Sequence, residues 1–529
     1  MRLRSQPVAV LVAAAVVVGG AGCGSAAATS SSAASGSGAA DATSSSAAPG
    51  SGAADATSSS AAPGSATVTV DGSAKGKAVP SGFVGLSLEI RGVESFTGTD
   101  PSHVNPVLEQ LIRNLSPGQR PSIRLGGDST DWTWYPIPGM ARPLGVRATL
   151  TKGWVQVVKS LAAAVDARLI IGLNFEVNSS KVVGAEAHAF VSGIGSHWLQ
   201  ALALGNEPEL YSGVTWFSLN HVRYYGRTHS WNFPAYVSNY SAVARAIPKS
   251  VALAGPDVGG PSWFPYLGSF LKSEPRVRLA TIHRYPLKQC TPTPKATISE
   301  LLSRGSTSGL ASGLVSMVRA AHAHGVPFQL DETNSVSCGG EPGVSNTFAS
   351  SLWSLDEMFQ LVNAGVDGVD VHSKLGSANA LWVFTQKGNT WTANVNPDYY
   401  GFLAFAQAAP AGARLLPVSS GDSWPLNVFA TRGTDGTERI VIINMSAHKP
   451  YNVTVKGGTG AAAGTVSRLS APSLGATGHV TLGGQSFASQ TPTGLLTGTP
   501  STSSVDLAGG AYKVSVPAAS AAIVTLPAH

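Results

Sequence analysis

Between residues 83 and 372 the chain alternates short apolar runs with longer segments able to form helices. The runs FVGLSLEI (83–90), SIRLGG (122–127), RLIIGLNF (168–175) and ALALGNE (201–207) come first. VALAGPD (251–257), RLATIHRY (278–285), PFQLDE (327–332) and GVDGVDVH (365–372) follow. They are nearly continuous in apolar character rather than alternating, the pattern of strands covered on both faces in a parallel sheet. Between them, TKGWVQVVKSLAAAVD (151–166) and TSGLASGLVSMVRAAHAHG (307–325) read as helices, the second stopping at Gly325 before a turn into proline. Eight strand–helix units predict an α/β fold, a (β/α)8 TIM barrel over residues 82–400. A doubly wound open sheet is the structural rival, but no G-x-G-x-x-G follows the first strand.

After residue 400 the period changes. RIVIINMS (439–446), YNVTVKG (451–457), YKVSVPA (512–518) and AAIVTLPA (521–528), separated by Gly/Ser/Thr-rich turns, predict a C-terminal antiparallel β-sandwich over 401–529. The stretch 66–81 opens with a similar run, ATVTVDG, and is expected to add a strand to that sandwich.

The first residues belong to neither unit. Arg2 and Arg4 precede an eleven-residue apolar run, so 1–22 reads as a signal peptide, too short to span a bilayer as a mature helix. GGAGCGS resembles a bacterial lipoprotein processing site, with Cys23 as the lipidated residue. Residues 23–65 are then an anchor and linker, with ATSSSAA-type units repeated at 28–65. Ala, Ser, Gly and Pro give such units nothing to bury, so the segment is a tether, reaching about 40 Å as a random coil. The expected location is extracellular, with the membrane engaged only through the lipid. A net charge of +6 includes the two leader arginines, and no basic run or stripe marks a nucleic-acid binder.

Active sites of such barrels lie at the C-terminal ends of the strands. Those ends carry Glu89, Asp128, Asn174, Asn206 and Glu207, Asp257, His283 and Tyr285, Asp331 and Glu332, and His372. Glu207 and Glu332 end the fourth and seventh strands, which face each other across the barrel mouth. Two carboxyl groups about 5 Å apart suit double-displacement glycoside hydrolysis, one as acid/base and the other as nucleophile. Asn206 is placed to bond a sugar 2-hydroxyl, and Tyr285 to hold Glu332 ionised. Strand alternation turns Asp331 away from the axis, and Glu209 reads as a loop residue. Cys290 and Cys338 follow adjacent strand ends and are expected to form a disulfide at the mouth. They are too few for a zinc site.

The motifs GNEPELY, TIHRYP and LDETNS, in that order, resemble the fourth, sixth and seventh strands of clan A retaining glycosidases. GLSLEI and IRLGGDSTDW narrow the resemblance to glycoside hydrolase family 79, the heparanase and β-glucuronidase family, from about residue 66 onward. It implies Glu207 as acid/base and Glu332 as nucleophile. It further implies sugar contacts from Glu89, Asp128 and Asn206, with support from His283 and Tyr285. The expected substrate is a β-glucuronide, and neither cofactor nor metal is implied, because both half-reactions are carboxylate chemistry. Family members grip the glucuronate carboxylate through a glycine and a tyrosine after the eighth strand. Here HSKLGSANALWVF offers Gly376 but no tyrosine, leaving Trp382 or Lys374 in its place, or a neutral sugar as substrate. The alternatives are a clan A glucosidase or xylosidase, or a surface carbohydrate-binding protein without turnover.

Overall fold

The computed structural model describes residues 62–420 and 424–529. The leader, Cys23 and the repeat as far as residue 61 lie outside the described residues. Among the described residues no helix is long and apolar enough to cross a membrane.

Eight strands close a barrel. They are β1 (Val84–Glu89), β2 (Ser122–Gly126), β3 (Arg168–Leu173) and β4 (Leu199–Leu204). The second half is β5 (Leu253–Val258), β6 (Val277–His283), β7 (Phe328–Thr333) and β8 (Gly368–Ser373). Each strand pairs in parallel with the next. The ring closes where β8 meets β1, with Val369 opposite Val84 and Ser373 opposite Leu88. Every residue of β1, β7 and β8 is buried, one face turned to the barrel interior and the other to the helix layer.

The helices begin where local chemistry lets them. The Thr151 hydroxyl accepts from the Trp154 amide at 3.0 Å to start Lys152–Val165. The Asn105 side chain accepts from Val107 and Leu108 ahead of Pro106–Leu115, whose first position is the proline.

One irregularity matters for the site. Ile282 pairs with Leu330 but His283 pairs with Glu332, so Asp331 is an extra residue in β7. On the other side, Leu330 lies opposite Val369 and Thr333 opposite Val371. Such a bulge breaks the two-residue alternation. Asp331, expected to face away from the axis, instead joins Glu332 inside, its Oδ2 3.2 Å from Arg124 Nε.

In the sandwich, Leu426–Arg432, Glu438–Asn444 and Ser520–Leu526 pair antiparallel, as do Tyr451–Gly457 and Ala511–Val516. Gly64–Val70 lies parallel to Tyr451–Gly457 before the chain enters the barrel. Ile440, Ile442, Val453 and Val524 form the sandwich's own core with Val68. Val441 and Ile443, on the opposite face of their strand, belong to the barrel's core instead. The helices Phe348–Ala364 and Pro397–Ala408 meet this face, with Phe359 stacked on Phe429 at 4.7 Å. IVII is apolar throughout because its strand is buried on both sides.

Candidate active site

At the C-terminal rim of the barrel a cavity of about 610 Å³ is lined by Glu89, Asp128, Glu207, Glu332, His372 and Lys374, among others. This size suits a small ligand. A side pocket of about 100 Å³ shares Asp128 and Glu207 and has Asn206 in its wall.

Glu207 follows β4 in a left-handed conformation, φ 47°, unusual for a residue with a side chain. Its amide donates to the Asp257 carbonyl at 2.9 Å, which pins the turn to β5. A Cβ at Gly259 would collide with the Glu207 carboxylate, so only glycine leaves that side chain its place. Glu207 Oε1 lies 3.1 Å from His283 Nδ1.

Glu332 is held from three sides. Arg124 Nη1 donates to its Oε2 at 2.7 Å, and the Tyr285 hydroxyl donates to its Oε1 at 2.9 Å. His372 Nδ1 stands 3.7 Å from Oε2. Burial by itself would raise the Glu332 pKa. His372, His283 and Arg124, with the Tyr285 hydrogen bond, outweigh it and hold the carboxyl well below the usual range. Ligating atoms of Glu207, His283 and Glu332 all lie within 4.8 Å of one another. The two carboxylates thus meet at the spacing of retaining, rather than inverting, glycoside hydrolysis.

Residues 428–523 match the model of the glycosyl hydrolase family 79 C-terminal beta domain. The chain is 25% identical to a β-glucuronidase of Neurospora crassa over 447 residues, 74% of this chain and 76% of that protein. A β-glucuronidase of Aspergillus niger is 25% identical over 403 residues, 69% of this chain and 71% of that protein. These matches support membership of glycoside hydrolase family 79. The chain is a glycoside hydrolase on a (β/α)8 barrel. Among solved structures, the 4-O-α-L-rhamnosyl-β-D-glucuronidase of Fusarium oxysporum is similar in fold, with a TM-score of 0.69 at 22% identity. That match covers 87% of this chain and 100% of that one.

Arg124, absent from the residues singled out in the sequence, ties the site together. It is fully buried, and besides Glu332 its Nη1 donates to Ser87 Oγ at 3.1 Å and its Nη2 to Asn206 Oδ1 at 2.9 Å. Its signal was an arginine in the middle of the apolar run SIRLGG, where no solvent-facing position exists. His372, at the end of the eighth strand, lines the cavity. So does Glu209, whose Oε1 accepts from the Gly259 amide at 2.7 Å. Burial and the nearby Glu207 push the Glu209 carboxyl up to about 7.

Glu89 and Asp128 stand in the cavity wall. Glu89 Oε2 accepts from the Ser129 amide at 3.0 Å. Asp128 is pushed up to about 7 by burial, then by Glu89, Glu332 and Glu207, with Lys374 acting in the opposite sense. Asn206 Nδ2 reaches Asp128 Oδ1 at 3.3 Å. Asp131, also unforeseen, accepts from the Asn206 amide at 3.1 Å and from the Tyr211 hydroxyl at 2.7 Å, fixing the turn that presents Glu207.

Two expected sugar contacts need correction. Trp382 is wholly buried, packed on Phe384 at 5.8 Å and Tyr399 at 5.7 Å, so its ring is core and cannot reach a sugar. The strand Trp382–Lys387 pairs with Thr390–Val395, and this hairpin turns the ring inward onto the helix layer. Gly376 is not part of the cavity wall. It takes φ +76° in a turn closed by the Ser377 amide on the Lys374 carbonyl at 3.2 Å. Cys290 and Cys338 form a disulfide in the cavity wall.

Among the described residues two side-chain groups converge closely enough to hold a metal ion: Glu207, His283 and Glu332, and Asp257, His283 and Asp331. The first is the carboxylate pair itself. In the second, Arg124 already lies 3.2 Å from Asp331 and 3.6 Å from Asp257, so a fixed cation serves those carboxylates.

Proposed function

We propose that this enzyme is a retaining β-glucuronidase, with Glu332 as nucleophile and Glu207 as acid/base. The observation that carries the mechanism is the carboxylate pair, its ligating atoms within 4.8 Å and one member stripped of its proton by surrounding cations. The choice of sugar rests on the relatives named as β-glucuronidases.

The two glutamates differ as the roles require. Glu332, its side chain 10% exposed, is an anion fixed by Arg124 and Tyr285, so its free lone pair is aimed rather than mobile. Glu207, 23% exposed, can pass a proton to the leaving oxygen and later take one from water. Glu332 attacks the anomeric carbon as the glycosidic bond breaks and Glu207 protonates the departing oxygen. Water, deprotonated by Glu207, then attacks the same carbon and releases Glu332. Two inversions retain configuration. Asn206 is our candidate for the sugar 2-hydroxyl, its side chain oriented by Arg124 and Asp128.

Replacing Glu332 by alanine should lower kcat on an aryl β-glucuronide by at least about 10⁴-fold, since the covalent step is lost. Azide should then restore release of a product with inverted configuration. Undiminished turnover would remove Glu332 from the role.

We further infer export, with anchoring through Cys23. A disulfide in the cavity wall fits an oxidising compartment, where such bonds persist. Globomycin-sensitive processing of the full chain in a bacterial host is the test; processing unaffected by it would exclude a lipid anchor.

A further inference from the structure

A glucuronate carries its own carboxylate into a cavity already crowded with acids. Glu89, Asp128, Glu207 and Glu332 all line it. An unneutralised anion placed there would be repelled, and like charges a few ångströms apart in a partly buried site are costly. With no tyrosine in the loop after β8, a cation facing the sugar's carboxylate would offset that repulsion, and most of the cations nearby are committed elsewhere.

Arg124 is fully buried, with Nε facing Asp331, Nη1 bonded to Glu332 and Ser87, and Nη2 to Asn206. His283 is buried against Glu207. His372 is buried too, its Nδ1 3.2 Å from Ser87 Oγ and its Nε2 3.9 Å from Glu89 Oε1. Lys374 differs. Its side chain is 46% exposed in the cavity wall, and its ammonium stands 3.7 Å from Glu89 Oε1, beyond hydrogen-bond distance. It also acts on Asp128, whose pKa it lowers against the surrounding acids. These contacts put the ammonium on the Glu89 and Asp128 side of the pair.

The loop is built to hold it there. Directly after β8, the Lys374 carbonyl accepts from the Ser377 amide at 3.2 Å and from the Ser377 hydroxyl at 2.6 Å. The Ala378 amide donates to Gly339 at 2.8 Å, and Gly339 is itself in the cavity wall. Gly376 supplies the positive φ that closes the turn. Arg284 and Lys288 are also cations of the wall, but they follow β6. His283 and Tyr285 point in toward the carboxylate pair. Arg284, between them, has its amide bonded to the Glu332 carbonyl at 3.0 Å.

We propose that Lys374 is the specificity residue that binds the C5 carboxylate of the sugar being cleaved. This rests on the glucuronidase reading. The amine acts as a compact point charge, with donors to spare for the ligand. A contact to a group remote from the breaking bond binds ground state and transition state alike, so its loss should raise KM more than it lowers kcat.

The test compares nitrophenyl β-glucuronide with nitrophenyl β-glucoside on the wild-type enzyme and on Lys374→Met and Lys374→Arg. Wild type should prefer the glucuronide. Lys374→Met should cut that preference by roughly 10- to 100-fold, the scale of one charged hydrogen bond, mainly through KM. Lys374→Arg should keep most of it. Equal losses on both substrates would make Lys374 a counter-ion for Glu89 and overturn the proposal. So would a collapse of preference in Lys288→Met with Lys374→Met unaffected. A wild type that prefers the glucoside would sink the glucuronidase reading itself, a result distinguishable from both.

Discussion

At the scale of single residues, the site works by surrounding one carboxylate with more positive charge than burial can offset. His283 takes part in that balance. Burial opposes its charge, but Glu332 and the hydrogen bond to Glu207 outweigh burial and the repulsion of Arg124, raising its pKa to about 9. A histidine whose folded pKa exceeds its unfolded value adds stability that is complete below about pH 6.5 and fades as pH rises through about 9. The stability gap between wild type and His283→Gln should therefore be widest near pH 6 and close by about pH 9.5. Urea unfolding across that range measures it; a gap independent of pH would mean that the ring is neutral in the folded protein. Glu332 titrates in the opposite sense, its contribution being lost only in acid.

At the scale of elements, the rim loops matter as much as the strands. The loops after β6 and β7 carry Tyr285 and follow Glu332, and they are joined twice. Leu287 and Val336 form a parallel bridge, with the Ser337 amide on the Leu287 carbonyl at 3.0 Å. Cys290 and Cys338 add a covalent link across 48 residues of chain. Closing a loop of that length restricts the unfolded chain, so the double Cys290→Ser, Cys338→Ser variant should lose about 2–4 kcal/mol of stability. Denaturant unfolding with midpoint and m-value fitted for each variant would measure this, m rising as the unfolded chain expands. A variant as stable as wild type would show that the backbone bridge alone is sufficient.

At the scale of the whole molecule, the sandwich and barrel share a sheet face. Val441 and Ile443 lie in the barrel's core while Ile440 and Ile442 lie in the sandwich's, so neither part has a free-standing surface there. Gly64–Val70 completes the sandwich at one end, burying Val68 and Val70. A chain beginning at residue 62 should keep the activity and melting temperature of the full chain. One beginning at residue 72 should lose at least about 3 kcal/mol, from two buried valines and a row of backbone hydrogen bonds. It should also aggregate through the opened strand edge. Equal melting temperatures for the two would refute this account of the strand.

The sequence by itself determined the class of architecture, because apolar runs without alternation suit a parallel sheet covered on both faces, and eight strand–helix units suit a closed barrel. It also determined that Glu207 and Glu332 sit at strand ends, since chain order and strand count are enough for that. What it could not determine was direction. Alternation turned Asp331 outward, but one extra residue in β7 reversed it, and a bulge leaves no composition signal. Trp382 was read as a sugar contact because it lies in the stretch after β8, where it could replace the family's tyrosine. Its hairpin and the helix Pro397–Ala408 decided that the ring belongs to the core. Arg124 was visible in SIRLGG, but its partners come from strands far away in the chain. Only closure of the barrel brings Asn206, Asp257, Asp331 and Glu332 around one guanidinium. Periodicity records which residues are buried. Which buried charges meet is decided by the ring that long-range pairing closes.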